Sequence, residues 1–347
     1  MLYATTRNQR DSYPAQRALT EQRGSDGGLY IPFRVDPFSV SEIESFAGMT
    51  FHQSLAKILN FLFQTRLRAE ELDYSLGRQP IRLVSMSHRM LIGECWHSSG
   101  QEFQRMVRSI SGIIRRDGGG SVSPGKWMEI GVRIAVLFGI YGELLRSKTL
   151  GLDKRVDISV VSGDFSAPMS AWYARAWGLP IGNIICCCNE NSAVWDLIYH
   201  GQLRTDDISI PTATPKADIT LPEGLECLIS AACGEEEALR YVDSCRTGKV
   251  YMPQESSLRK LRAGIHISVV SGERMRSTIP SVYAASSYLL SPYTALAYAG
   301  LMDYRVRTEQ TRCALVLAER NPVMDADTAA NAMKMTAREL EALLKKQ

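Results

Sequence analysis

The chain has 347 residues, 45% of them apolar, with a net charge of +3 and a pI near 8.4. That composition supports a buried core in one large or two ordinary domains and excludes a disordered chain. The charge is too mild to select nucleic acid or an acidic membrane, and no apolar run reaches the roughly 18 residues of a transmembrane helix.

Residues 1–33 open polar and turn-rich, and SDGGLYIP (25–32) carries an Asp-Gly-Gly turn before an apolar Leu-Tyr-Ile. From 41 to 76 the pattern is helical, with Leu55, Ile58, Leu59 and Leu62 spaced to share one face. IRLVSM (81–86) and MLIGECW (90–96) read as strands, and QEFQRMVRSISGIIRR (101–116) as a helix with a solvated arginine face. DGGGSVSPG (117–125) is the strongest break in the chain. KWMEIGVRIAVLFGIYGELLRS (126–147) is a helix too apolar for a surface position.

After that helix the chain alternates. DISVVSG is a strand, APMSAWYARAWG a helix ending at Gly178, GNIICCCN a strand, and SAVWDLIYHG a helix ending at Gly201. Such alternation implies right-handed crossovers and parallel strands. Residues 223–247 are helical, 277–304 hold two helices split at Ser291-Pro292, and CALVLAE (313–319) is a buried strand. Thr336 and Glu339 are spaced as a capping box for a C-terminal helix. ISVVSG recurs at 267–272 with different flanks and no repeat period, so it reads as coincidence.

Eight cysteines lack a framework spacing. Cys186, Cys187 and Cys188 sit on one predicted strand, where neighbours alternate faces, so they cannot all meet one metal. Reduced thiols in a cytoplasmic protein are expected, and MLYATTRNQRD lacks the apolar stretch of a secretory signal. His52, His88, His200 and His266 show no metal-ligand spacing, and no Ser-His-Asp arrangement is visible. ISVVSGDFSAP (158–168) is a strand running into a tight turn at a helix start, an architecture that cradles phosphate through backbone N–H groups.

These segments resemble threonine synthase. YATTRN and SDGGLYIP are similar to its opening Tyr-x-Ser-Thr-Arg-Gly and Ser-Asp-Gly-Gly-Leu-Tyr-Val-Pro. The stretch from ISVVSGDFSAP through GLPIGNIICCCNENSAVWDLIYHG resembles its Gly-Asn-Phe-Gly-Asn loop, Gly-Leu-Pro-Ile turn and Asn-Glu-Asn helix start. ADITLPEGLECLI, YLLSPYTALAYAG and LVLAERNP resemble three further family segments, in the family's order. The resemblance implies fold type II of the pyridoxal-phosphate enzymes and the conversion of O-phosphohomoserine to threonine and phosphate.

The chain departs from the family where its chemistry lies. In ECWHSSGQEF (94–103), Glu94 and His97 match, but Gln101 stands where the Schiff-base lysine is expected, and an amide forms no imine. Lys126 is the candidate substitute. The long small-domain segment that follows in the family is replaced by DGGGSVSPG, so most of that domain reads as deleted. The phosphate loop, Ser162, Gly163, Asp164, Phe165 and Ser166, carries a carboxylate for a neutral Asn and a serine for the second glycine. A carboxylate about 4 Å from a phosphate repels it by on the order of 1 kcal/mol in water, and the Ser166 Cβ disfavours positive φ. The structural reading has Asp164 cap the following helix through its N-terminal N–H groups. Glu319 stands at the position expected to meet the pyridine nitrogen, and Asn321 replaces a histidine.

The expected fold is α/β, a three-layer parallel sheet flanked by helices like the large domain of the tryptophan synthase β-like fold. Its expected parts are a mainly helical segment 1–80, a remnant of the cofactor-lysine region with its glycine-rich junction (81–125), a large α/β domain 126–330 and a C-terminal helix 331–347. The expected function is that of a catalytically inactive, degenerate threonine synthase relative acting as a binding, scaffold or regulatory protein without cofactor. The resemblance assigns Ser162, Gly163, Asp164, Phe165, Ser166 and Glu319 to the ancestral cofactor site and His97, Asn189 and Asn191 to the substrate. The alternative is an active lyase holding pyridoxal phosphate; a third reading uses Asp164, Glu319 or His97 as acid and base. A homo-oligomer or protein partner is expected to cover surface left by the lost domain.

Overall fold

The structure, a computed structural model, describes residues 1–34, 36–77, 81–87, 89–96, 102–118 and 125–345. The N-terminal segment is not only helical. Strands β1 (Leu2–Thr5) and β2 (Asn8–Pro14) precede helix α1 (Ala15–Thr20), and β3 (Tyr30–Pro32) completes a three-stranded antiparallel sheet of order β2-β1-β3. β2 is largely exposed and polar, so it lacks the apolar alternation that announces a strand. Helices α2 (Val40–Ser45), α3 (Phe51–Phe63) and α4 (Ala69–Leu76) follow. The face read from Leu55, Ile58, Leu59 and Leu62 is fully buried.

Next come the hairpin β4 (Arg82–Met86) and β5 (Met90–Glu94), then α5 (Phe103–Gly118) and α6 (Lys126–Arg146). α6 lies in the core, as its composition requires. Gly131 and Gly139 let α3 approach closely: a Cβ at Gly131 would stand 2.5 Å from Phe63, and one at Gly139 2.7 Å from Phe51.

The βα alternation is then as expected: β6 (Val156–Val161), α7 (Ser166–Ala176), β7 (Ile181–Cys188) and α8 (Ala193–His200). α9 (Gly224–Cys233) and α10 (Glu235–Thr247) precede α11 (Glu255–Gly264), a helix without a strong sequence signal. β8 (His266–Val269), α12 (Gly272–Ser286), α13 (Pro292–Thr308), β9 (Ala314–Ala318), α14 (Ala326–Met333) and α15 (Ala337–Leu344) complete the chain. Thr336 and Glu339 form the expected capping box.

The six-stranded sheet has order β4-β5-β9-β6-β7-β8 and is mixed, because β4 joins antiparallel at one edge. Alternate side chains feed two cores. Ile158, Val160, Ile184 and Leu315 pack with α3 and α6 on one face, and Ile185, Ile92 and Val316 with α12 and α13 on the other. Cys186 and Cys188 belong to the first core and Cys187 to the second. All eight thiols are free, and burial pushes that of Cys187 up to about 12. Both ISVVSG copies end a parallel strand ahead of a helix, β6 into α7 and β8 into α12. Among the described residues no helix is long and apolar enough to cross a membrane.

Candidate functional site

Parallel strands of an α/β sheet open their ligand crevice beyond their carboxyl ends. Here β6 and β9 end at a cavity of about 320 Å³, lined by the turn after β6, Glu319 and Arg320 after β9, and the starts of α5 and α6.

The turn after β6 is anchored to β7 and closed on itself by backbone hydrogen bonds. Ser162 donates its N–H to the Cys187 carbonyl (2.9 Å), and Phe165 its N–H to the Ser162 carbonyl (2.7 Å). Gly163 and Phe165 take positive φ, 44° and 71°. This corrects one expectation: the left-handed residue is Phe165, and Ser166 is the first residue of α7, where its Cβ costs nothing. Asp164 caps that helix. Its carboxylate accepts the Ser166 N–H (3.0 Å) and hydroxyl (2.9 Å) and forms an ion pair with Lys126, whose ammonium also lies 3.4 Å from Glu223. Burial pushes the Asp164 pKa up, but Lys126 and then Arg133 outweigh it and hold the group below the usual carboxylate range. Burial likewise lowers the Lys126 pKa, and Asp164 raises it above the usual ammonium value.

Across the cavity, Arg133 of α6 is nearly enclosed. It meets Glu319 through two bonds (2.6 and 2.7 Å) and Glu129 through a third (2.7 Å), with the Phe103 ring 4.4 Å from its guanidinium. Burial alone would depress its pKa; Glu319 and then Glu129 reverse this and raise it well above the ordinary value. Along the rim, Glu102 receives Lys216 (3.0 Å) and Arg320 (2.9 Å), and Arg320 is also gripped by Asp325. The Tyr293 hydroxyl accepts the Lys216 N–H at 3.0 Å.

Ser162, Gly163, Asp164 and Glu319 therefore share the cavity. Phe165 and Ser166 are buried beneath it. Asn189 and Asn191 are not brought to it. Asn189 donates to Thr212, Thr214 and Asp218, and Asn191 exchanges bonds with the Ile210 backbone, so both secure the loop after α8. His97 and Gln101 lie outside the described residues. Glu94 sits in β5, fully buried, held by Arg82 and the Tyr288 hydroxyl. Asn321 accepts the Val323 N–H.

Sequence reasoning missed Arg133, Glu129, Glu102 and Lys216. A signal existed for the first two: Glu129 and Arg133 stand at i and i+4 in the otherwise uncharged stretch 127–142 of α6, and a buried charge requires a partner. No comparable pattern marks Lys216.

Residues 2–78 match the family model for the threonine synthase N terminus. The mouse protein threonine synthase-like 1 is 27% identical over 175 residues, covering 49% of this chain but 23% of that protein. The chain thus spans less than a quarter of the length of that relative. The Pseudomonas aeruginosa threonine synthase is 20% identical over an alignment of 405 positions, covering 88% of this chain and 85% of the enzyme. Among solved structures, the pyridoxal-phosphate-bound threonine synthase of Brucella melitensis has a TM-score of 0.84 at 17% identity, covering 96% of this chain and 91% of that one. The yeast threonine synthase has a TM-score of 0.82 at 16% identity, covering 96% and 90%. The chain therefore has the threonine synthase fold and resembles that enzyme in sequence.

The described residues do not fit pyridoxal phosphate at this cavity. A phosphate at the start of α7 would need the Ser166 N–H, which Asp164 already holds, and would meet the Asp164 carboxylate. Glu319 is committed to Arg133. Among the described residues, Lys216 is the cavity-lining lysine and is bound to Glu102, while neighbouring Lys126 is bound to Asp164.

Proposed function

We propose that this chain, a threonine synthase relative in its fold and its N-terminal region, acts in the cytoplasm as a binding or scaffold protein without pyridoxal-phosphate chemistry. One observation carries the reading. Cation–carboxylate pairs, Arg133 with Glu319 and Glu129 and Lys126 with Asp164, saturate the groups that would otherwise hold an aldehyde cofactor. A ligand entering there must break charge-assisted bonds in a partly dry cavity. The test is an absorption spectrum after incubation with pyridoxal phosphate. The protein is expected to stay colourless and to make no threonine from O-phosphohomoserine. An imine band that borohydride abolishes would overturn the reading.

Loss of the small domain belongs to the same proposal. α5 ends at Gly118 and α6 begins at Lys126. The alignment with the Pseudomonas enzyme also runs over 405 positions, whereas 88% of 347 residues fills about 305, leaving about 100 enzyme positions without a counterpart. A partner or a second copy then covers the surface beside α5 and α6. Sedimentation is expected to show a species larger than the 38.6 kDa monomer, and a stable monomer would count against it.

A further inference from the structure

The opposite end of the parallel strands holds a second cleft, of about 660 Å³. It lies at the amino ends of β5, β6 and β9, and the loop after α6 forms one wall. Four cations converge on it from separate segments: Arg89 before β5, Lys154 and Arg155 before β6, and Arg312 before β9. Two carboxylates answer them. Asp153 pairs with Lys154 at 2.7 Å, and the buried Asp157 fixes Arg312 at 2.7 Å while also accepting the Asn183 N–H. Arg89 and Arg155 have no ion pair among the described residues.

Three features distinguish this from an ordinary solvated surface. The cleft has an apolar floor, Met90, Leu91 and Leu150, all buried. Arg89 holds a positive φ of 55°, a conformation that glycine or asparagine adopts more cheaply, so the turn retains a guanidinium at a conformational cost. Like charges are also crowded. Burial, aided by repulsion from Arg155, lowers the pKa of Arg175, whose guanidinium is spent on the Gly182 and Gly264 carbonyls.

We propose that this cleft is a binding site for a small phosphate monoester. Two unpaired guanidinium forks suit a dianionic phosphate, the anchored Arg312 adds a third positive charge, and the apolar floor accommodates a compact organic body. The site is separate from the cavity at the other end of the strands, and the inference does not depend on how that cavity is read.

Calorimetric titration of the full chain with phenyl phosphate and with inorganic phosphate at low salt tests it. Phenyl phosphate is expected to bind more tightly than inorganic phosphate, and both affinities are expected to fall as salt rises. Arg89→Ala combined with Arg155→Ala should weaken phenyl phosphate binding by about tenfold or more, an effect expected from lost charge-assisted bonds. Both side chains are exposed and unpaired, so circular dichroism should show the fold retained. Lys216→Ala, in the other cavity, should leave the affinity unchanged. Absence of phenyl phosphate binding, loss on Lys216→Ala in place of the arginine pair, or an RNA oligonucleotide held by the same arginines that phosphate cannot displace would each overturn the assignment.

Discussion

Replacing Arg133 by methionine is expected to destabilise the chain by about 3–5 kcal/mol, the cost of stranding a buried partner charge. The Arg133 side chain is 6% exposed and the Glu129 and Glu319 side chains 17% and 27%. Without the guanidinium, two carboxylates face one another across a partly dry space, with Asp164 close enough to add to the field. The Phe103 ring also loses the cation above it. The companion variant separates this account from a packing effect. Arg133→Met with Glu129→Gln and Glu319→Gln removes every stranded charge, so most of the loss should be recovered. Urea midpoints at neutral pH measure both. A single variant within about 1 kcal/mol of wild type, the range of an exposed pair, or a triple variant as unstable as the single, would refute the argument. The Arg133 pKa is raised, so its contribution is fully present below the ordinary guanidinium value, and no loss is expected on the alkaline side short of that.

The same pair shows where the sequence stops being informative. Glu319 was legible as a site position through the resemblance of LVLAERNP to a family segment, and Asp164 because it sits in a strand-to-helix turn. Both positions follow from motif and chain order. What Glu319 touches does not, because its partner lies 186 positions away and no period links them. Phe165 is a second case. Sequence logic assigns a positive φ to glycine and places strain at the substituted Ser166, whereas the turn closed by Asp164 moves the left-handed residue back by one. β2 escaped because its exposed, polar residues lack apolar alternation, so tertiary packing decides it, and α11 because its apolar face is short, Leu258 and Leu261. By contrast, α3 and the βα alternation depend on apolar spacing alone and emerged where expected.

Asp164 provides the second large effect, one that divides into two parts. Asp164→Ala is expected to cost about 2–3 kcal/mol, because it leaves the Ser166 N–H unpaired at a fully buried residue and takes the main counterion from Lys126. Asp164→Asn keeps a carbonyl oxygen for the cap and removes only the charge. Its cost should be nearer about 1 kcal/mol, since the Asp164 side chain is 36% exposed and solvent screens the pair. The pH dependence of the Asn variant identifies the charge part. The folded carboxyl lies below its ordinary 3.8, so its stabilisation exists above that value and is lost as pH falls through the lower folded one. The folded ammonium of Lys126 lies above its ordinary 10.5, so its stabilisation exists below that value and is lost as pH rises through the higher folded one. The gap between wild type and Asp164→Asn should therefore stay level across the neutral range and close at both extremes. Urea unfolding across pH measures it. A gap that does not change with pH would show that the carboxylate acts there only as a cap and that the ion pair with Lys126 carries no stability, whereas an Asn variant as damaged as the Ala variant would show that the charge carries the whole effect and the cap none.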